Sequence, residues 1–152
     1  PLSDNFQDFM QLSVRTANYF SKEDITFRLY MEDHGWGSNE FIKSKGFKIC
    51  NNSFSESLNM HSLRIISYNA TVWLQSLEIG PTILLLHESI SDVSEKWLDI
   101  FDEMKRVGLI IDNDNIESLT RFSANVDISN WWSSADVSRV RGLFISRYMY
   151  YG

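Results

Sequence analysis

The sequence has one cysteine, Cys50, in 152 residues, so the chain cannot form a disulfide within itself. A lone cysteine is typical of proteins in a reducing compartment, and we expect a cytoplasmic location. The longest purely apolar run, Ile83 to Leu86, is far shorter than the roughly 20 residues that span a membrane. The chain also opens without a basic and then apolar leader. These absences predict a protein that does not contact a membrane.

Clustered positive charge is also missing from the sequence. The formal net charge is −6, and the 14 lysines and arginines are scattered along the chain. Proteins that bind nucleic acid directly carry a basic stripe that neutralises phosphates, so we expect no direct nucleic-acid binding. An acidic surface instead favours a basic protein partner, because opposite charge speeds the encounter.

Motifs for a cofactor or a transition metal are absent as well. Gly35 and Gly37 bracket Trp36, but no residues of a phosphate-binding loop follow them. The histidines and Cys50 show neither HxxxH nor CxxC spacing, so the sequence gives no support for a zinc site. We therefore predict no cofactor and no metal as the first interpretation.

Apolar periodicity predicts the first elements of the chain. Apolar residues recur at helical spacing over residues 6–20, and strict alternation over residues 25–31 predicts a half-buried strand. Two short apolar stretches within residues 41–49 flank Gly46. This arrangement predicts a short hairpin with Gly46 at its turn.

A long helix is predicted next. Ser53 and Glu56 have the spacing of a capping box, in which each residue satisfies an unpaired N–H group of the other at a helix start. Two apolar stripes follow and predict one helix over about residues 54–78, packed between other elements. Gly80 and Pro81 are typical of a helix end.

The best determined stretch follows this helix. Residues 82–87 form a continuous apolar run up to His87, which predicts a strand buried on both faces. An amphipathic pattern over residues 93–107 predicts a helix that ends at Gly108, and residues 109–111 predict a second buried strand. Strand, helix and strand in this order predict a βαβ unit with parallel strands.

The remaining residues complete the predicted fold. Asn115 can cap a short helix that reaches Phe122, residues 123–130 are predicted to form a loop, and the last segment fits a helix or a strand. The fold class is α/β or α+β, with a single domain over residues 1–152. We expect a mixed sheet of about four to six strands with helices packed on it.

Polar residues follow both strands of the predicted βαβ unit. His87 and Glu88 follow the first strand, and Asp112 and Asp114 follow the second. Ligands of parallel sheets bind beyond these strand ends, and carboxylate oxygens suit Mg²⁺. The order is similar to the acidic cluster of Toprim-type nucleotidyl-transfer domains, but Ser89 replaces their usual glycine and the spacing is shorter. The simpler interpretation is that residues 112–114 form a turn before the next helix.

Aromatic residues make up 14% of the chain, and several lie in predicted loops beside acids. Loop tryptophans beside charged residues are typical of protein-binding hot spots. The predicted docking residues are Glu32, Asp33, Trp36, Asp127, Trp131, Trp132 and Asp136. The alternative is that Trp131 or Trp132 covers one end of the sheet.

Two functions from different classes remain open. The first is a non-catalytic acidic protein that captures and inhibits a basic partner, such as an immunity protein for a toxin or a phage-encoded inhibitor of host defence. The alternative is a small metal-dependent phosphotransfer or nuclease-type enzyme that uses Glu88, Asp112 and Asp114. Negative charge without an assembled catalytic motif favours the first.

Overall fold

The computed structural model describes residues 2–28, 38–66, 71–86, 94–123 and 127–151. The chain divides into two compact units, Pro1–Met60 and His61–Gly152. The single domain over residues 1–152 stays a prediction. Glu32, Asp33, Trp36, His87 and Glu88, which the sequence analysis singled out, lie outside the described residues.

The first unit combines helices with one pair of very short strands. Its elements are α1 (Leu2–Ala17), β1 (Thr26–Phe27), α2 (Ser38–Ser44), β2 (Lys48–Ile49) and α3 (Phe54–Met60). The strands β1 and β2 are parallel, with Thr26 opposite Lys48. Met10, Ala17, Ile42 and Phe47 form its buried core. The predicted first helix is confirmed. The strand predicted over residues 25–31 is paired at Thr26 and Phe27, and its residues 29–31 lie outside the described residues.

The hairpin predicted over residues 41–49 is wrong. Phe41 and Ile42 lie in helix α2, where Ile42 is fully buried, and only Lys48 and Ile49 form a strand. Gly46 does form a turn, because its φ of +84° ends the helix in the left-handed region that glycine tolerates. The short apolar run before the turn therefore packs as one face of a helix rather than as a strand.

The second unit contains a three-stranded sheet and the remaining helices. Its elements are β3 (Arg64–Ile66), α4 (Thr71–Ile79), β4 (Thr82–Leu85), α5 (Leu98–Val107), β5 (Ile110–Ile111), α6 (Thr120–Ser123), α7 (Ile128–Ser133) and α8 (Ala135–Tyr151). Short 3-10 helices cover Glu95–Trp97 and Ile116–Leu119. The strands are parallel and lie in the order β3, β4, β5.

The single helix predicted over residues 54–78 is also wrong. Its stretch divides into α3, β3 and α4. The capping box at the start is confirmed, because the Ser53 N–H donates to Glu56 Oε2 at 3.0 Å and the Glu56 N–H donates to Ser53 Oγ at 3.3 Å. The helix does not continue, since Ile65 pairs with Ile83 of the buried strand β4. Tertiary strand pairing overrides the helical spacing of the apolar residues.

The βαβ unit predicted from the second half of the sequence is confirmed. All four residues of β4 are buried, and β4 and β5 are parallel, with Leu84 opposite Ile110. The buried face of α5 carries Ile100, Phe101, Met104 and Val107. The α/β class is therefore confirmed, but the described residues form two small parallel sheets of two and three strands. That is fewer strands than the predicted mixed sheet.

The last third of the chain is helical. The loop predicted over residues 123–130 is wrong at its end, because α7 begins at Ile128 and contains both neighbouring tryptophans. The open choice between helix and strand for the last segment is settled as the helix α8. Phe144 of α8 packs on Trp73 of α4, with ring centroids 4.6 Å apart. Within the described part of the chain, no helix has the length and apolar character needed to cross a bilayer.

Two glycine substitutions test the backbone of the second unit. Gly108 has a φ of +87°, and a Cβ there meets Arg121 Nη1 at 2.9 Å. We expect Gly108→Ala to lower the free energy of unfolding by about 1–2 kcal/mol. Gly142 lies within α8 with open space around the position of a Cβ. Gly142→Ala is expected to raise the free energy by about 0.5–1 kcal/mol.

Guanidinium unfolding of the two variants beside the wild-type protein measures both changes. A stabilising Gly108→Ala substitution contradicts the left-handed turn that joins α5 to β5. A destabilising Gly142→Ala substitution contradicts the continuous helix α8.

Candidate functional site

The carboxyl edge of the three-stranded sheet is the place where this topology puts a ligand. The strands β3, β4 and β5 are parallel, so the segments that follow them leave at one edge. Residues 67–70 and 87–93, which follow β3 and β4, lie outside the described residues. The turn after β5 and the start of α5 are the described parts of this edge.

The turn after β5 is held by side chains that bond to backbone. Asp112 is only 5% exposed, and its Oδ1 accepts from the N–H groups of Asp114 at 2.9 Å and Asn115 at 3.1 Å. The Asn115 side chain accepts from the Asp112 N–H at 2.7 Å and donates to the Ile110 carbonyl at 2.9 Å. This geometry supports the simpler interpretation, a turn that leads into the next helix.

Lys105 of α5 neutralises the carboxylate of this turn. Its Nζ lies 2.7 Å from Asp112 Oδ2, and the lysine side chain is 38% exposed while the aspartate side chain is 7% exposed. The hydrogen bond to Asp112 raises the pKa of Lys105 above its ordinary value of 10.5. An ammonium group at this distance opposes a divalent cation on the same oxygen, because both carry positive charge.

The predicted magnesium ligands are not brought together in the described part of the edge. Asp114 is exposed, and Glu88 lies outside the described residues. Among residues 2–28, 38–66, 71–86, 94–123 and 127–151, no group of three or more histidine, cysteine or acidic side chains is placed to hold a metal ion. The metal site stays a prediction without support from these residues.

A cleft of about 360 Å³ lies at the amino-terminal end of α5, lined by Lys96, Trp97, Asp99 and Arg147. The chain reaches α5 from the carboxyl end of β4 and returns to the amino end of β5. The helix therefore runs opposite to the strands, and its first turn lies toward the carboxyl edge of the sheet. The cleft is thus on the side where the topology predicts a ligand.

Ion pairs at the two ends of α5 show that α8 runs antiparallel to it. Near the start of α5, Arg147 donates from Nη1 and Nη2 to the two oxygens of Asp99, at 2.6 and 3.0 Å. Near its end, Arg106 Nη1 lies 2.7 Å from Asp136 Oδ2. The last turns of α8 therefore lie at the cleft, and its first turn lies at the opposite end of α5.

The cleft combines two cations, one acid and an indole ring. The hydrogen bond from Arg147 holds the pKa of Asp99 below its ordinary value. Lys96 Nζ lies 5.9 Å from the centroid of the Trp97 ring, a cation–π distance. The Trp97 ring packs against the ring of Phe144, and the two ring centroids are 6.0 Å apart. Such a site suits a ligand that is anionic at one end and flat or apolar at the other.

The predicted docking residues that the structure describes lie near the other end of α5 and are engaged within the chain. Asp127 caps α7 by accepting from the Ser129 N–H at 2.9 Å. Trp131 is 9% exposed and donates from Nε1 to the Val107 carbonyl at 3.0 Å. Asp136 bonds to Arg106, and this bond lowers its pKa. Burial of Trp131 agrees with the alternative of a ring that covers one end of the sheet.

Of the two predicted docking tryptophans that the structure describes, Trp132 is the more exposed. It is half-buried, and the guanidinium of Arg141 lies 3.9 Å from its ring centroid. Arg141 also donates to the Trp132 carbonyl at 3.2 Å. Burial lowers the pKa of Arg141. The docking role of these residues stays a prediction.

Comparison with known families adds one finding. A family model described as LIC12162 family transferase matches residues 2–151. The chain belongs to the LIC12162 transferase family. No curated protein and no solved structure matches it. This family description bears on the alternative interpretation of the chain as an enzyme, and no comparison supports an inhibitor or immunity role.

The sequence analysis did not identify the residues of the cleft at the start of α5. Asp99 and Arg147 are separated by 48 positions, and no spacing rule joins an early helix turn to a late one so far away. Trp97 was assigned to the inner face of a helix by its spacing alone.

Substitutions at the turn test the assignment of Lys105 and Asp112 as a structural pair. Asp112→Asn removes the charge that Lys105 faces in a mostly buried position, and we expect unfolding free energy to fall by about 1–3 kcal/mol. The matched control is Asp114→Asn, an exposed change of the same kind, with an effect within about 0.5 kcal/mol. Denaturant unfolding at neutral pH measures both.

The pH dependence follows from the raised pKa of Lys105. The stabilisation from the pair is fully present below 10.5 and is lost as the pH rises through the higher folded-state value. The difference between wild type and Asp112→Asn should thus be constant near neutral pH and shrink only in alkaline solution. A difference that shrinks between pH 6 and about pH 8 contradicts the assignment.

Proposed function

We propose that the chain catalyses or supports group transfer from an activated donor bound at the carboxyl edge of the β3–β4–β5 sheet. The observation that carries the proposal is the family match, which extends over residues 2–151. The parallel sheet and the cleft at the start of α5 support the location. A fold alone does not specify a reaction, so the argument rests on the chemistry of the cleft residues.

The cleft can stabilise a leaving group that becomes negative. In group transfer, the bond between the transferred group and the donor breaks, and an acceptor atom forms the new bond and releases its proton to solvent. The departing part of the donor keeps the electron pair. Arg147 and Lys96 place two cations beside one acid, so the cleft favours that negative charge. The acceptor supplies the nucleophile, so a nucleophilic residue in the cleft is not required.

Asp112 has a structural part in this proposal. Its hydrogen bonds shape the turn over residues 112–115, which borders the same edge of the sheet as the cleft. A metal held by Glu88, Asp112 and Asp114 is the alternative form of the proposal. It has less support, because Lys105 already pairs with Asp112 at 2.7 Å.

Capture of a basic protein partner is the proposal that the net charge of −6 supports. The predicted docking residues that the structure describes add little support to this proposal, because Asp127 caps a helix and Asp136 forms ion pairs within the chain. Trp132 is the residue on which this second proposal depends. A Trp132→Ala substitution that abolishes capture of a partner while leaving donor chemistry unchanged favours docking.

Donor consumption tests the group-transfer proposal. The protein is incubated in separate reactions with a sugar nucleotide, ATP and an acyl-coenzyme A, each together with a mixture of hydroxyl- and amine-bearing acceptors, and the released leaving group is measured by chromatography. We expect one donor class to be consumed and Arg147→Gln to slow its consumption about tenfold or more. Trp132→Ala, at the other end of α5, is the matched control and should keep the wild-type rate.

Two results contradict the proposal. One is that no donor is consumed above the rate in buffer by protein that is shown to be folded. The other is that Arg147→Gln and Trp132→Ala change the rate equally, because the cleft then has no special part in the reaction.

A further inference from the structure

At the cleft at the start of α5, the guanidinium of Arg147 already binds a carboxylate of the chain itself. Arg147 bonds to both oxygens of Asp99, a geometry that a phosphate can reproduce because its oxygens have a similar spacing. The Asp99 side chain is 70% exposed, whereas the Arg147 side chain is 32% exposed. The acid can therefore turn away into solvent while the arginine stays in place.

The surroundings of Arg147 favour its staying at the cleft. Its Nη1 also lies 3.5 Å from the Lys96 carbonyl, which ties the guanidinium to the turn before α5. Exposed ion pairs are weak, because water competes for both charges. A ligand with more charge than one carboxylate can thus replace Asp99 at little cost.

Among the residues that the structure describes, the charges that line the cleft are two cations, Lys96 and Arg147, and one acid, Asp99. At the opposite end of α5, Arg106 and Arg139 face two acids, Glu103 and Asp136, and the four side chains satisfy one another. Since the whole chain carries a net charge of −6, anions are not attracted to it in general. Two described cations beside one acid therefore favour the binding of an anion at this end of the helix pair.

The size and the ring of the cleft restrict the ligand further. A volume of about 360 Å³ is at the lower end of ligand pockets and fits a compact molecule. The Trp97 ring is held by Phe144 and Tyr148, with centroids 6.0 and 6.4 Å away, so it is a fixed surface. A flat or apolar group joined to the phosphate can lie against it.

We propose that this cleft binds a phosphate- or diphosphate-bearing ligand, whose phosphate replaces Asp99 on Arg147 and is also held by Lys96. The inference rests on the proposed function, since it names the chemical class of the donor or of its leaving group. In the absence of ligand, the Asp99 carboxylate occupies the position of the phosphate and keeps Arg147 in place.

Calorimetric titration with pyrophosphate at low ionic strength tests the proposal. Asp99→Asn removes the competing carboxylate, and we expect it to tighten binding about threefold to tenfold. Arg147→Gln should weaken binding about tenfold or more, and Arg147→Lys should restore only part of it because lysine lacks the fork. Inorganic phosphate should bind more weakly than pyrophosphate in each case.

Matched controls come from the opposite end of the same helix pair. Asp136→Asn and Arg139→Gln change the net charge by the same amounts and break similar exposed pairs between α5 and α8. Both should leave pyrophosphate affinity close to that of the wild type. The proposal is overturned if wild-type protein does not bind pyrophosphate, if Asp99→Asn weakens binding, or if the controls shift it as much as the cleft variants.

The outcome is separable from that of the group-transfer proposal. If a donor is consumed and Arg147→Gln slows its consumption but pyrophosphate does not bind, the phosphate ligand is wrong and transfer stands. If pyrophosphate binds as described but none of the three donors is consumed, the phosphate cleft stands and the transfer proposal is wrong.

Discussion

The burial of strand β4 is the constraint on which the second unit depends. Thr82, Ile83, Leu84 and Leu85 are all buried, and the strand pairs with β3 on one side and with β5 on the other. The buried hydroxyl of its first residue is hydrogen-bonded. Thr82 Oγ1 donates to the Gly80 carbonyl at 2.9 Å and lies 2.8 Å from Ser76 Oγ. Parallel neighbours require helices that return over the sheet, so α4 and α5 follow from the same pairing. The position of the cleft is a consequence of that return.

The antiparallel pair α5 and α8 gives this unit two ends with different properties. One end of the helix pair lies near the first residue of β5. At this end Trp131 donates a hydrogen bond to the Val107 carbonyl, and four charged side chains form ion pairs with one another. At the other end, one acid faces two cations beside an indole ring. The first end explains how the helices are held together. The second end is where we propose that a ligand binds.

The elements that the sequence predicted best are those whose local and tertiary preferences agree. The run over residues 82–87, the stripe of α5 and the stop at Gly108 all indicate the same βαβ unit, and the structure contains it. The prediction of one helix over residues 54–78 was wrong. Its apolar spacing fits a helix, but Ile65 and Ile66 are stabilised more by pairing with β4. Trp131 was expected in a loop, since a short helix capped by Asp127 has too few residues to show periodicity.

The sequence analysis placed a possible ligand at the carboxyl edge of the sheet, which stays a prediction, and it did not name the residues of the cleft. Connectivity alone indicated the carboxyl ends of the strands, and Asp112 does lie there, although as the anchor of a turn. Asp99 and Arg147 meet only because α8 packs antiparallel on α5, and no pattern within either helix contains that information. Contacts between distant helices depend on the packing of the whole unit, which periodicity does not describe.

Backbone amide chemical-shift mapping during a pyrophosphate titration tests the account most directly, because it locates the bound anion without assuming a reaction. The account predicts that the largest changes fall on residues 95–99 and on the last turns of α8 around Arg147. Changes centred instead on α7 and the first turn of α8, around Trp132 and Asp136, contradict it and place the functional surface at the opposite end of the helix pair.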